Sequence, residues 1–271
     1  MNQDDPAPAY LIIDTESIPD GDLLAKVKYP GEDLEPVAAI ARAQKEASAA
    51  SPTGSDFLPV TFQIPIAACV IRVGADFGLQ AVTCLDAPLY RPKAIVEQFW
   101  NGVVAYRKKY GDRIKLVTFN GRGFDVPLLE LNAFRHGVVA REHFGMSRKR
   151  FDGWHLDLMD WLSNFGAYRM VGGLNLLSKL LGKPGKMEMQ GDMVYQHYCD
   201  GKMQEINDYC MFDTLDTYFV FLRTRVLLGE LHLDEEQNVI AKAKTWLEGK
   251  AGELPALSQY LANWGEWPAA L

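Results

Sequence analysis

Apolar and polar positions along the chain predict strands first and helices later. Residues 10–14, Tyr-Leu-Ile-Ile-Asp, form a short unbroken apolar run ending on a carboxylate, as in a strand buried on both faces. Strand patterns return at 63–73 and 79–85, and Gly74-Ala-Asp-Phe-Gly78 between them reads as a hairpin loop. Residues 114–119 predict another strand and 155–159 a short extended segment. A helix is expected from about Pro92 to Tyr110, with proline near its first turn and Gly111 stopping it. Gly121 and Gly123 make a tight turn, followed by a helix from about Phe124 to Arg135 that Gly137 ends. Further helices are expected at 173–181, 190–199, 203–228 and 234–249.

Two stretches depart from this rhythm. In residues 30–60, prolines and glycines flank an alanine-rich segment, 37–50, that is helix-prone but weakly apolar; a mobile surface insertion is expected. Residues 229–271, with Trp264 and Trp267 near the end, are expected to form a helical C-terminal extension packed on the domain that residues 1–228 build. Strands, then mixed strands and helices, then helices imply an α/β layer fold whose mixed sheet combines an antiparallel meander with βα units.

Composition narrows the class. The 271 residues are 48% hydrophobic and 23% charged, which excludes a disordered or collagenous chain. Lys plus Arg number 28 and Asp plus Glu 35, a formal charge of −7, so bulk electrostatic coating of nucleic acid is disfavoured. An enzyme that holds one strand end in a local site remains compatible, above all if divalent cations cancel local acidity. Four cysteines without a C-x-x-C spacing point to thiols in a reducing compartment. No apolar run approaches the roughly 18 residues of a membrane span, and the acidic, proline-bearing first nine residues are unlike a signal peptide. A cytoplasmic protein is therefore expected.

The chemically informative residues are acids at element ends. Asp14 and Glu16 form D-x-E at the end of the first strand, where period two puts both side chains on one face. Two buried carboxylates on one face need a counter-charge, and a divalent metal with oxygen ligands supplies it. Asp125 follows the glycine turn in the first turn of a helix, a position that the helix dipole alone would favour. Val126 stands where a third glycine would be, so a dinucleotide loop is not supported. Tyr209 and Asp213, spaced i, i+4, share one helix face beside Ile206, Cys210, Thr217 and Val220, so Asp213 faces inward and needs a partner. The plainest partner is the Tyr209 hydroxyl.

Taken together, Asp14-Thr-Glu16, Asn120 with Asp125, and Tyr209-x-x-x-Asp213 resemble in order and spacing the DEDDy branch of the DnaQ-like 3′–5′ exonucleases. The wider context, Thr118-Phe-Asn-Gly-Arg-Gly-Phe-Asp-Val-Pro127 and His155-Leu-Asp-Leu-Met159, is similar to a stand-alone bacterial group related to the exonuclease domain of family-B DNA polymerases. The resemblance covers about residues 9–228. It implies a ribonuclease H-like fold and hydrolysis at the 3′ end of single-stranded nucleic acid, DNA ahead of RNA. It also implies two divalent cations, Mg²⁺ or Mn²⁺. Asp14 would bridge them; Glu16 and Asp213 would complete one site and Asp125 the other; Tyr209 would orient the water or the phosphate. The Thr15 backbone, Asn120 and Phe124 would line the closed end of the cleft, with Arg122 reaching a phosphate. An exoribonuclease or oligonucleotide nuclease, and an idle nucleic-acid-binding accessory module, are the alternatives. Any polymerase or repair partner is left unidentified.

Other polar groups are less telling. Arg148-Lys-Arg150 and Lys179, Lys183 and Lys186 suggest a local phosphate track, although such runs are more often solvated surface. His155, Asp157 and Asp160 lack zinc spacing and read as a buried hydrogen-bonded segment. There is no G-x-S-x-G, P-loop or H-E-x-x-H.

Overall fold

A computed structural model describes residues 6–146, 153–187 and 189–266. The run Arg148-Lys-Arg150 and Trp267 lie outside these residues. Five strands, β1 (Pro8–Pro19), β2 (Gln63–Gly74), β3 (Leu79–Cys84), β4 (Lys115–Thr118) and β5 (His155–Asp157), form one sheet in the order β3-β2-β1-β4-β5. The β1–β2 and β2–β3 pairs are antiparallel, whereas β1–β4 and β4–β5 are parallel. This is the expected mixed sheet flanked by helices, consistent with a ribonuclease H-like exonuclease fold.

The central strand β1 is twelve residues long and runs well past its apolar half. It continues through Thr15-Glu16-Ser17 because β2 pairs with it along that whole length, with a register shift between Glu16 and Ser17. Alternation then sorts its side chains. Leu11 and Ile13 join Ile95, Phe99, Trp100 and Leu129 from α3 (Pro92–Tyr110) and α4 (Asp125–His136) on one face. Ile12 joins Ile71 and Val117 on the other, against α9 (Met203–Leu227). Asp14 and Glu16 share the parity of Ile12, and Thr15 that of Ile13.

Helix α9 is buried around nearly its whole circumference from Ile206 to Leu222. The sheet covers one side, and α10 (Leu233–Lys250) and α11 (Ala256–Ala262) cover another through Ala243, Leu247, Leu257 and Tyr260. That two-sided burial explains why its apolar residues form no single stripe.

The remaining helices are shorter. α1 (Gly21–Lys28) starts at Asp20, whose side chain accepts from the Leu23 amide at 3.0 Å. Within 30–60, α2 (Pro36–Ala50) packs on α1 around a separate cluster of Leu24, Tyr29, Ala39, Ile40, Ala43 and Leu58. α5 (Arg141–Met146) and α6 (Leu158–Leu162) have no strong periodic signal; α6 begins where the Asp157 side chain caps it. α7 (Gly173–Leu180) lies at its expected place, while the helix expected over 190–199 is confined to α8 (Val194–Cys199), preceded by a single tight turn.

Candidate active site

The distal half of β1 meets the middle of α9. Parity sends Asp14 and Glu16 toward that helix, and the i, i+4 spacing brings Tyr209 and Asp213 to meet them. Ligand atoms of Asp14, Glu16 and Asp213 all lie within 4.8 Å of one another. The Cys210 thiol, next to Tyr209, donates to the Asp14 carbonyl at 3.3 Å and fixes helix against strand. The Tyr209 hydroxyl lies close enough to the Asp213 carboxylate to favour its charged form.

Asp125 arrives from the other face. Its position is set by a turn between β4 and α4. Asn120 takes a positive φ of 65° there, a conformation asparagine tolerates better than most residues. At Gly121 a Cβ would sit 2.5 Å from the Thr118 side chain, so that position admits only glycine. Asp157 at the end of β5 braces the turn: its carboxylate accepts from the amides of Asn120 and Arg122 at 2.9 and 2.8 Å. The buried Asp125 carboxylate then accepts from the Thr15 hydroxyl at 2.5 Å. Thr15 therefore contributes a side chain that positions Asp125, which the spacing of D-x-E did not reveal. Asp125 stands outside the three-acid group in ligand reach, yet its charge acts on both Asp14 and Glu16.

The electrostatics follow from burial. Loss of solvent raises Asp14 and Glu16 well above the usual carboxylate range, and the neighbouring acids add to it. Asp125 is pushed up to about 7 by burial, against the pull of the Thr15 hydroxyl. Asp213 is pushed up to about 6 by burial, against the pull of Tyr209 and Lys186. Burial and the surrounding carboxylates also raise Tyr209, so it keeps its proton and acts as a donor. One oxygen of Asp14, Oδ2, is buried with no hydrogen-bond partner. A buried acceptor left unserved costs about 1–3 kcal/mol. An all-oxygen donor set around such an atom suits a hard divalent cation such as Mg²⁺ or Mn²⁺.

Two cavities open on either side of the acids. One, of about 520 Å³, is lined by Glu16, Asn120, Phe124 and Lys186, with Phe57 from the 30–60 segment as part of its wall. The other, of about 320 Å³, is lined by Tyr209, Asp213 and several methionines. Phe124 contacts Phe57 with ring centroids 5.6 Å apart. No periodic or motif signal marked Phe57. The Arg122 guanidinium is engaged within the protein, with Asp160 at 3.0 Å and the His155 carbonyl at 3.0 Å, so it supports the turn. Of the three lysines, Lys183 is buried beneath Trp264 and Lys179 caps the Pro184 carbonyl; Lys186 is exposed beside Glu16.

Among the described residues no helix is long and apolar enough to cross a membrane. No curated protein matches the chain. Residues 55–264, over three quarters of it, match a family described as predicted 3′–5′ exonucleases related to the exonuclease domain of PolB. The matched span holds Asn120, Asp125, Tyr209 and Asp213 and extends through α10 and α11; Asp14 and Glu16 precede it, and β1 carries them to Asp213. With that match over a mixed sheet whose central strand delivers its acids to α9, the chain belongs to the family of predicted 3′–5′ exonucleases related to the exonuclease domain of PolB.

Proposed function

We propose that this protein is a metal-dependent 3′–5′ exonuclease of the DEDDy type that hydrolyses the terminal phosphodiester of single-stranded DNA in the cytoplasm. The observation that carries the reading is the meeting of Asp14, Glu16 and Asp213 around a buried carboxylate oxygen that no protein group serves. Family membership supports the polarity and the bond class, and the relation to a DNA polymerase domain favours DNA.

Asp14, Glu16 and Asp213 would hold one divalent cation, and Asp14 with Asp125 a second. Such ions make a water more acidic near neutral pH and offset charge in an in-line phosphoryl displacement. The protein supplies the rest. Thr15 holds Asp125 in place, and Asp157 holds the turn that presents it. Tyr209, still protonated, offers its hydroxyl hydrogen to Asp213 or to a phosphate oxygen and fixes the approach of the water. Phe124, against Phe57, gives a terminal base a surface to stack on. Asn120 and the Thr15 backbone line the end where a 3′-hydroxyl would stop. Arg122 acts from behind, through the turn.

Residues 1–228 form the exonuclease domain in this reading, and 229–271 a C-terminal extension whose helices α10 and α11 pack on it. An idle binding module is disfavoured, because it would gain nothing by massing negative charge where phosphate docks.

End-labelled DNA and RNA strands, free or blocked at the 3′ end, test the reading with Mn²⁺ and with Asp14→Ala as control. Stepwise loss from free 3′ ends of DNA, abolished by the substitution, is expected. Equal degradation by Asp14→Ala would remove the assignment, and faster loss of RNA would change the substrate.

A further inference from the structure

The loop between α7 and α8 separates the two cavities. Gly185, Met187 and Met189 line the cavity of Tyr209 and Asp213, and Lys186 and Gln190 line that of Glu16, Asn120 and Phe124. The first part of the loop, residues 182–186, is tied down at several points. The Lys186 amide donates to Asn175 Oδ1 at 2.9 Å. Gly185, at φ +58°, sits so close to Asn175 that a Cβ there would lie 2.6 Å from its Oδ1. The Gly265 amide donates to the Gly182 carbonyl at 2.9 Å, and the Lys183 ammonium lies 4.2 Å from the centre of the Trp264 ring. The C-terminal extension thus holds the base of this loop.

Lysines 179 and 183 are spent on that structure. Lys186 is not: the residue is exposed, and it is in none of the ion pairs among the described residues. Its charge reaches both Glu16 and Asp213, since it draws each of them down against burial. A phosphodiester entering this cavity meets the Glu16 carboxylate, and a cation lining the same cavity supplies the attraction the acids withhold. A lysine suits the task, being a compact charge with three donors on a flexible stem.

We propose that Lys186 is a phosphate-holding residue, its ammonium pairing with an oxygen of the terminal phosphate in the cavity shared by Glu16, Asn120 and Phe124. The inference rests on the exonuclease reading and adds a specificity-setting cation from a loop seated by the C-terminal extension.

The test compares Lys186→Met and Lys186→Arg with wild type in Mn²⁺, on a single-stranded DNA dodecamer with a free 3′ end. It measures kcat, KM and the salt dependence of KM, and the binding of thymidine 5′-monophosphate by calorimetry. Lys186→Met should raise KM and weaken monophosphate binding about 10- to 100-fold, with a smaller effect on kcat. Its salt slope should fall by about 0.7. Lys186→Arg should recover most of the loss, and the Mn²⁺-induced rise in melting temperature should be unchanged in both variants. Wild-type KM, monophosphate affinity and salt slope in Lys186→Met would overturn the inference, as would loss of the Mn²⁺ effect. If wild type acts on the strand and Lys186→Met is indifferent, this inference alone falls; if wild type neither cleaves nor binds, the exonuclease reading falls and takes it along.

Discussion

Helix α9 carries two aspartates three residues apart, Asp213 half-buried and Asp216 buried, that end in opposite circumstances. Asp213 faces Asp14 and Glu16, and one oxygen of that group has no donor in the protein. Asp216 faces the C-terminal extension, where the Tyr260 hydroxyl donates to it at 2.6 Å and the Gly185 amide also favours its charged form. A little further on, the fully buried Glu236 of α10 is clasped by the Arg223 guanidinium at 2.8–3.0 Å. Loss of solvent alone therefore does not distinguish an acid of the candidate site from a structural one, since Asp213 and Asp216 are both pushed up, to about 6 and about 7. What separates them is the company each keeps: Asp213 shares its surroundings with two further carboxylates, one oxygen of which has no donor, whereas Asp216 is met by a tyrosine hydroxyl and a backbone amide.

The hardest blow to that contrast comes from removing one acid of each kind. Asp14→Ala should lower exonuclease turnover by at least about 10³-fold, as loss of a charge-stabilising group does. The metal-free protein should hold or gain stability, because the substitution removes a carboxylate that lies among like charges with one oxygen buried and unserved. Single-turnover cleavage and a melt in chelator read the two effects. Glu236→Ala should do the reverse: about 3 kcal/mol of stability lost by urea titration, since Arg223 loses its counter-charge, with turnover at low temperature within about twofold of wild type.

Cations provide the next separation. Saturating Mn²⁺, at about 100 times its dissociation constant, should add about 2.7 kcal/mol, or roughly 5–10 °C for a chain of this size. The gain should vanish in Asp14→Ala and persist in Tyr260→Phe. In chelator, Asp125 and Asp213 bind protons more tightly in the fold than their ordinary value near 4. Stability should then fall as pH rises from about 4 to about 7, with Asp216, Asp14 and Glu16 adding the same sign. Mn²⁺ should flatten the share due to Asp213. A metal-free protein that grows more stable over that interval would show that the acids have protein partners after all. The smallest expected effect is Tyr260→Phe, about 1–2 kcal/mol of stability, with KM and kcat unchanged.

The same contrast explains what the sequence made legible. Acids on period-two and period-four spacings were readable because elements with regular geometry carry them: Asp14 with Glu16, and Tyr209 with Asp213. The mixed sheet, α3, α4 and α9 were readable from apolar patterning. Helices α1, α5 and α6 were not, being short and held by side-chain caps and tertiary contacts more than by an apolar face. The Thr15–Asp125 hydrogen bond joins residues 110 positions apart across the sheet, and no local pattern encodes such a pair. Arg122 looked available for phosphate because its partner Asp160 lies 38 positions away on another element. Phe57 lies in a segment of weak patterning, and only the folded cavity shows that it faces Phe124.

Strand β1 supplies Asp14 near the start of the chain, and the helix that completes the group lies 199 positions later, at Asp213. During synthesis the first acids leave the ribosome long before their companion exists, and α10 and α11 emerge later still. A nascent chain therefore brings Asp14, Glu16 and Asp213 together only after α9 has been made. Closing so long a loop carries an entropic cost that the packing of α9 on the sheet offsets.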